Sequence, residues 1–166
     1  MAQLEGIPQA QYDAAAEALL AGMDGLVDPE TFRSVYLLHQ AADAAREVAT
    51  RDALDPYAVS WTQFEVLWNI WIFGESEAGW VSRAAMISKS GLTTIFAHLE
   101  RRGLIQRRVD PADGRKALVM LSAQGQALMI EMFSKLNQVE ARFVGSLSRD
   151  QRAPLVEILE SLLADR

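Results

Sequence analysis

The chain has 166 residues, half of them hydrophobic and 23% charged, with a formal net charge of −6. This composition suits one soluble domain with appended helices and excludes disordered, collagen-like and membrane-embedded classes. With no cysteine and only two histidines, His39 and His98, disulfides, thiolate zinc sites and thiol redox sensing are excluded, and neither a metal site nor a cofactor is expected.

Tyr12, Ala16, Leu19 and Met23 recur at helical spacing and predict a first helix over 10–23, interrupted by Gly22, Asp24 and Gly25. Asp28-Pro29-Glu30 is a strong helix start, with an N-cap acid, Pro at the first helical position and an acid in the first turn. The second helix should run to about Arg51 with the apolar stripe Phe32, Val35, Tyr36, Ala42 and Ala49, and His39 and Arg46 on or beside it. Asp55-Pro56 marks a break. Ser60-x-x-Gln63 then reads as a capping box, with Val59 and Phe64 spaced as a hydrophobic staple. The helix it opens carries Phe64, Leu67, Trp68 and Trp71 and closes at Gly74.

A short helix is predicted over Glu77 to Ala85. Ser88 caps the next, which runs to about Arg102, buries Leu92, Ile95, Phe96 and Leu99, and ends at Gly103. The period then changes. LIQRR and KALVML suit two strands joined by the turn-rich VDPADGR, a β-hairpin. Ser122 caps a long helix with Met129, Met132, Leu136, Val139 and Phe143 in 3/4 spacing, broken at Gly145. Ser148-x-x-Gln151 opens a last helix with Leu155, Leu159 and Leu162, in which Pro154 should shift the start or cause a bend.

Charge is sorted along the chain. Residues 80–116 hold eight bases against three acids, a local net of +5 that leaves −11 for everything else. A polyanion partner for this region follows, against the alternative of a merely solvated basic face. A short helix, a tight turn, a second helix and a two-stranded ribbon make a winged helix-turn-helix. One helix fits the major groove of B-DNA, and a basic hairpin beside it can touch the backbone and enter the minor groove. The fold class is therefore mainly α (α+β): a winged helix-turn-helix module over 59–121, flanked by helices at 1–58 and 122–166 whose apolar stripes a DNA-reading module alone would not need.

From Val59 to Gly125 the residues resemble the MarR (multiple antibiotic resistance regulator) transcription factors. The resemblance rests on Ser60-x-x-Gln63-x-x-Val66-Leu67, on Ile87-Ser88-Lys89-Ser90, and on Leu99-Glu100-Arg101-Arg102-Gly103-Leu104-Ile105-Gln106-Arg107. It continues through the wing Asp110-Pro111-Ala112-Asp113-Gly114-Arg115 into Val119-x-Leu121-Ser122. It implies an obligate homodimer, with the helices of 1–58 and 122–166 as the dimerisation region, on a pseudopalindromic double-stranded DNA operator, acting as a repressor released by a small effector such as an aromatic acid. Two recognition helices would sit about 34 Å apart.

With the apolar side of the helix capped by Ser88 in the core, the opposite face presents Ser90, Thr94 and His98 to base edges. Thr93 can meet a base or a phosphate, and Ser88 stands at the cap. Lys89, Arg101, Arg83 and the Ser82 hydroxyl suit phosphates. His98 equally fits a solvent-exposed helix position. In the wing, the resemblance makes Arg115 the minor-groove arginine and Asp113 the acid that orients wing or neighbouring arginines. Lys116, Arg107 and Arg108 would add backbone contacts, with Arg107 also a candidate partner of Asp113. The sequence departs from the family at Gly91, where Thr is usual, and at Thr94, where Arg is frequent, which argues against a bidentate arginine–guanine contact.

For the effector, the resemblance suggests a pocket between the dimer helices and the DNA lobe. Its walls would be Phe64, Trp68, Trp71, Met129 and Phe133, with His39 or Arg46 holding a carboxylate. Trp68 and Trp71 also fit an ordinary core or interface role, and His39 a buried histidine without a ligand. No Gly-rich phosphate loop, G-x-S-x-G elbow or H-E-x-x-H occurs, so no enzyme is expected. No apolar run approaches the ~18 residues of a membrane span, and MAQLEGIPQA is not a signal peptide. No membrane partner is expected, and the expected compartment is the cytoplasm. Two alternatives stay open: a constitutive or architectural DNA binder without effector, and a winged-helix protein–protein interaction module.

Overall fold

The computed structural model describes residues 9–23 and 25–164. The segment 1–8, on which the signal-peptide reading rests, and Asp24 lie outside the described residues. The chain forms two compact units, residues 1–44 and 45–166.

The first unit holds α1 (Gln9–Ala21) and the greater part of α2 (Pro29–Ala49). Asp28 caps α2 as its sequence indicates: its carboxylate accepts from the backbone N–H of Glu30 and of Thr31, each at 3.2 Å, and from the Thr31 hydroxyl. Tyr36 stacks between Tyr12 and Phe32, with ring centroids 5.6 and 5.8 Å apart. Much of the apolar stripe still faces outward. Leu19, Val35, Leu37 and Leu38 are all exposed.

The second unit contains the core. The α-helical pattern of α2 stops at Ala49, short of the expected Arg51, and continues as a π-helical turn over Thr50–Leu54 and a 3₁₀ turn over Asp55–Tyr57. Ala53 and Leu54 are buried on this widened turn. Then α3 (Trp61–Phe73) begins at the expected capping box. The Ser60 hydroxyl accepts from Gln63 N–H, and the Gln63 carboxamide oxygen accepts from Ser60 N–H. Val59 and Phe64, the staple pair, are both buried. Gly74 ends α3 at φ +71°.

A two-residue strand that sequence periodicity did not indicate, β1 (Ser76–Glu77), pairs antiparallel with the second hairpin strand, β3 (Ala117–Leu121), which lies between it and the first, β2 (Ile105–Val109), in a three-stranded sheet of order β1-β3-β2. Two residues are too few to show an alternating pattern. They take the start of the short helix expected at Glu77, and α4 covers Ala78–Ala84. The recognition helix α5 (Lys89–Arg101) and the hairpin β2 (Ile105–Val109) and β3 (Ala117–Leu121) follow as expected, Ile105 pairing with Leu121 and Val109 with Ala117.

α6 (Ala123–Phe143) and α7 (Arg149–Ala164) complete the chain. α6 starts under Ser122, whose hydroxyl accepts from Gly125 N–H at 2.9 Å and donates to Gly103 C=O at 2.5 Å. α7 starts at Arg149 despite Pro154, whose missing N–H deprives Asp150 C=O of its usual donor. Core side chains come from α3, α4, α5, the hairpin and α6, with Leu67, Ile70, Val81, Leu99, Val119 and Met132 almost inaccessible. The expected core positions Leu92, Phe96 and Leu99 of α5 are buried and Ile95 is half-buried.

Candidate nucleic-acid interface

The outer face of α5 and the wing form one polar surface on the second unit. On α5, Ser88, Lys89, Ser90, Thr93, Thr94 and Arg101 are exposed, and His98 is half-buried. The Ser88 hydroxyl accepts from Gly91 N–H at 3.2 Å and lies 3.2 Å from the Ser90 hydroxyl. Thr93 and Thr94 donate their hydroxyls back to Lys89 C=O and Ser90 C=O, at 2.9 and 3.3 Å. These donors are satisfied within the helix, and a turn of χ1 redirects them outward. At Gly91 a Cβ would stand 3.2 Å from both Ile87 Cγ2 and the Ser88 hydroxyl. A threonine there would need its neighbours to give way, so the local packing matches the glycine.

The turn before α5 is built differently from the expectation. Ser82 is buried, and its hydroxyl donates to Ile87 C=O at 2.6 Å. It closes the helix-turn-helix connection, so it cannot at once serve as an outward phosphate donor. Arg83, one residue on, is exposed. Met86 in the same turn has φ +53° and is 93% exposed.

Every base of the hairpin has an acid beside it. Arg108 forks onto Glu75, with Nε and Nη2 at 2.7 and 2.6 Å from its two carboxylate oxygens. Lys116 pairs with Glu77 at 3.1 Å. Arg107 pairs with Glu100 of α5, and not with Asp113. Its guanidinium also lies 5.8 Å from the centroid of the Phe96 ring. The reason is register. Arg107 faces Val119 near the root of the hairpin, whereas Asp113 is at the tip. Asp113 instead accepts from Arg115, from its backbone N–H and its Nε, both at 3.1 Å. The Arg115 side chain stays 91% exposed. The side-chain and backbone donors of Arg115 hold the Asp113 carboxyl below its ordinary pKa, and the Arg108 fork does the same for Glu75.

Sequence reasoning missed Glu75, Glu77 and Glu100 as wing partners, and Arg102 as a clamp. Arg102 donates to Tyr57 C=O and Ala58 C=O, both at 2.7 Å, and the Tyr57 hydroxyl donates to Glu131 of α6 at 3.0 Å. The turn before α3, the end of α5 and α6 are thereby tied together. The Arg-Arg pair at 101–102 was the available signal, but nothing local separates the outward residue from the inward one.

Of the residues proposed to line an effector pocket, Phe64, Trp68, Trp71 and Phe133 are brought together. Trp68 and Phe133 stack at 5.0 Å, Trp71 meets Phe133 at 5.5 Å, and Phe64 lies 6.0 Å from Trp68. Met129 is fully buried, behind the surface. Arg46 lies over the ring of Trp61 at 5.7 Å. His39 belongs to the first unit, where it lines an open hollow of about 440 Å³ with Val27, Phe32 and Val35. Among the described residues no group of three His, Asp or Glu side chains is placed to hold a metal, and no helix is long and apolar enough to cross a membrane.

Comparison with known proteins agrees with this architecture. The MarR family profile matches residues 59–117. The transcriptional repressor NicR of Pseudomonas putida is 27% identical over 128 residues, 77% of this chain and 80% of that protein. A structure reporting regulation of DNA binding of Bordetella bronchiseptica BpsR by 6-hydroxynicotinic acid is 27% identical, has a TM-score of 0.69, and covers 78% of this chain and 98% of its own. A mutant MarR from E. coli complexed with operator DNA has the same fold, with a TM-score of 0.71 at 22% identity over 82% of this chain and 99% of that one. The winged helix and its polar face thus stand in a known setting: residues 59–117 match the MarR family model, and the chain is similar in sequence and fold to MarR-type transcriptional regulators.

Proposed function

We propose that this chain is a homodimeric repressor that binds a pseudopalindromic operator and is released from it by a small aromatic acid. The observation that carries the reading is the wing tip, where Arg115 extends into solvent with its orientation held by Asp113, on the same lobe as the polar face of α5. In the bound state Ser90, Thr94 and His98 meet base edges and Thr93 a base or a phosphate, with Ser88 at the helix entry. Lys89, Arg83 and Arg101 meet phosphates, Arg115 enters the minor groove and Lys116 flanks it.

Dimerisation is supported by the apolar surface left on the terminal helices. On α7 alone, Leu155, Val156, Ile158, Leu162 and Leu163 are exposed. An uncovered set of this size is unusual on a soluble monomer. The effector is supported by the joined rings of Phe64, Trp68, Trp71 and Phe133, by the Arg46 guanidinium over Trp61, and by the BpsR relative, whose DNA binding is regulated by an aromatic acid.

Fluorescence anisotropy on a duplex selected by the protein from its own genome tests the reading. Affinity should fall steeply with added salt as phosphate contacts release counterions. Salt-independent binding would mark a protein-interaction module instead. Tryptophan emission should quench saturably with aromatic acids that also dissociate the duplex, and an unresponsive spectrum would mark a constitutive binder.

A further inference from the structure

The capping box of α3 places a side chain on the recognition face. Gln63 shares an open hollow of about 430 Å³ with Thr93, Thr94, Ala97, His98 and Arg101 of α5. Its carboxamide oxygen is held at 3.1 Å by Ser60 N–H. A carboxamide whose oxygen is fixed has its NH₂ fixed as well, and that group has no partner among the described residues. The reading face therefore contains a neutral, oriented donor from a different helix. It lies beside the C-terminal half of α5. A recognition helix reaches base edges with its N-terminal residues, so its last turn, with Arg101, faces the sugar–phosphate strand bordering the groove.

We infer that Gln63 is a DNA-contacting residue, donating its carboxamide N–H to a backbone phosphate next to the one met by Arg101. This rests on the DNA-binding reading above. The role combines positioning with binding. The capping bond that starts α3 also sets the donor's direction, so a phosphate at this point fixes the angle at which α5 enters the groove. Amide side chains are common phosphate donors and carry no sequence information themselves.

The test separates the cap from the contact. In Gln63→Glu the carboxylate still accepts from Ser60 N–H, because Glu serves a capping box as well as Gln does, and a negative charge suits a helix N-terminus. The donor, however, becomes an anion facing phosphate. Ser60→Ala does the reverse: it removes the hydroxyl that accepts from Gln63 N–H but leaves the backbone N–H that orients the carboxamide. Both are compared with wild type on one duplex selected by the wild-type protein from a randomised pool, by anisotropy and by thermal unfolding.

Gln63→Glu should melt at or above the wild-type temperature and bind about tenfold or more weakly. Ser60→Ala should melt lower and bind within about twofold once measured well below its melting temperature. Wild-type affinity for Gln63→Glu would overturn the assignment of Gln63 alone. So would a loss for Ser60→Ala as large as that for Gln63→Glu, since the cap would then explain both. If wild type retained no duplex from the pool, the DNA-binding reading would fall and this assignment with it.

Discussion

Gly125 packs its α-carbon directly against the carbonyl of Leu104. A Cβ at position 125 would overlap the Leu104 oxygen and stand 2.9 Å from its carbonyl carbon. The approach is fixed from both sides, because Ser122 N–H donates to the same Leu104 oxygen at 3.0 Å and the Ser122 hydroxyl bridges Gly125 N–H and Gly103 C=O. The first turn of α6 is thus seated on the segment between the recognition helix and the wing. Gly125→Ala should destabilise the fold by about 3 kcal/mol, since backbone on both sides must move. Chemical denaturation would show the loss as a lower midpoint with an unchanged slope.

Arg115→Ala should weaken DNA binding by about 1–3 kcal/mol without changing the melting temperature. Its side chain is almost wholly in solvent and, among the described residues, pairs only with Asp113 in the same turn. Arg115→Lys should recover part of the loss, because it keeps the charge but not the planar fork. Anisotropy titrations at one fixed ionic strength decide the matter, and equal affinities for Ala and wild type would take Arg115 out of the site.

Met86→Gly should stabilise the protein by about 0.5–1 kcal/mol. Met86 is in the left-handed region and nearly all of its side chain is in water. The substitution removes a steric cost of about 1–2 kcal/mol, partly offset by the greater freedom glycine gives the unfolded chain. Calorimetry should register a small rise in melting temperature, and a fall would mean that Met86 makes contacts elsewhere.

The start of α2 should be acid-sensitive. Hydrogen bonds from the Thr31 hydroxyl, and from the Glu30 and Thr31 amides, hold the Asp28 carboxyl below its ordinary pKa. A depressed folded-state pKa contributes stability that is complete above the ordinary value, about 4, and disappears as pH falls through the lower folded value. Helix content followed by far-UV circular dichroism should therefore decline below about pH 4. In Asp28→Asn that component of the decline should vanish, because asparagine caps without titrating. Matching acid profiles for the two proteins would show that the cap contributes nothing measurable.

Features written within four residues of one another were legible in the sequence. The caps at Asp28, Ser60, Ser88 and Ser122, the stops at Gly74 and Gly103, and the buried face of α5 all follow from short spacings. Features joining distant segments were not. β1 exists only because β3 is available to pair with it. Ser82 looks like any surface serine until Ile87 C=O is placed above it. The resemblance left Asp113 a choice of arginines, and the hairpin register decided it in favour of Arg115.

The basic window of residues 80–116 similarly omitted Glu75 and Glu77, which lie just outside it in sequence but fold onto the wing. The four hairpin cations, Arg107, Arg108, Arg115 and Lys116, therefore meet an equal number of carboxylates. A finger so nearly neutralised exerts little bulk pull on a polyanion. What it adds on arrival is alignment, set by the fixed direction of Arg115 at the tip.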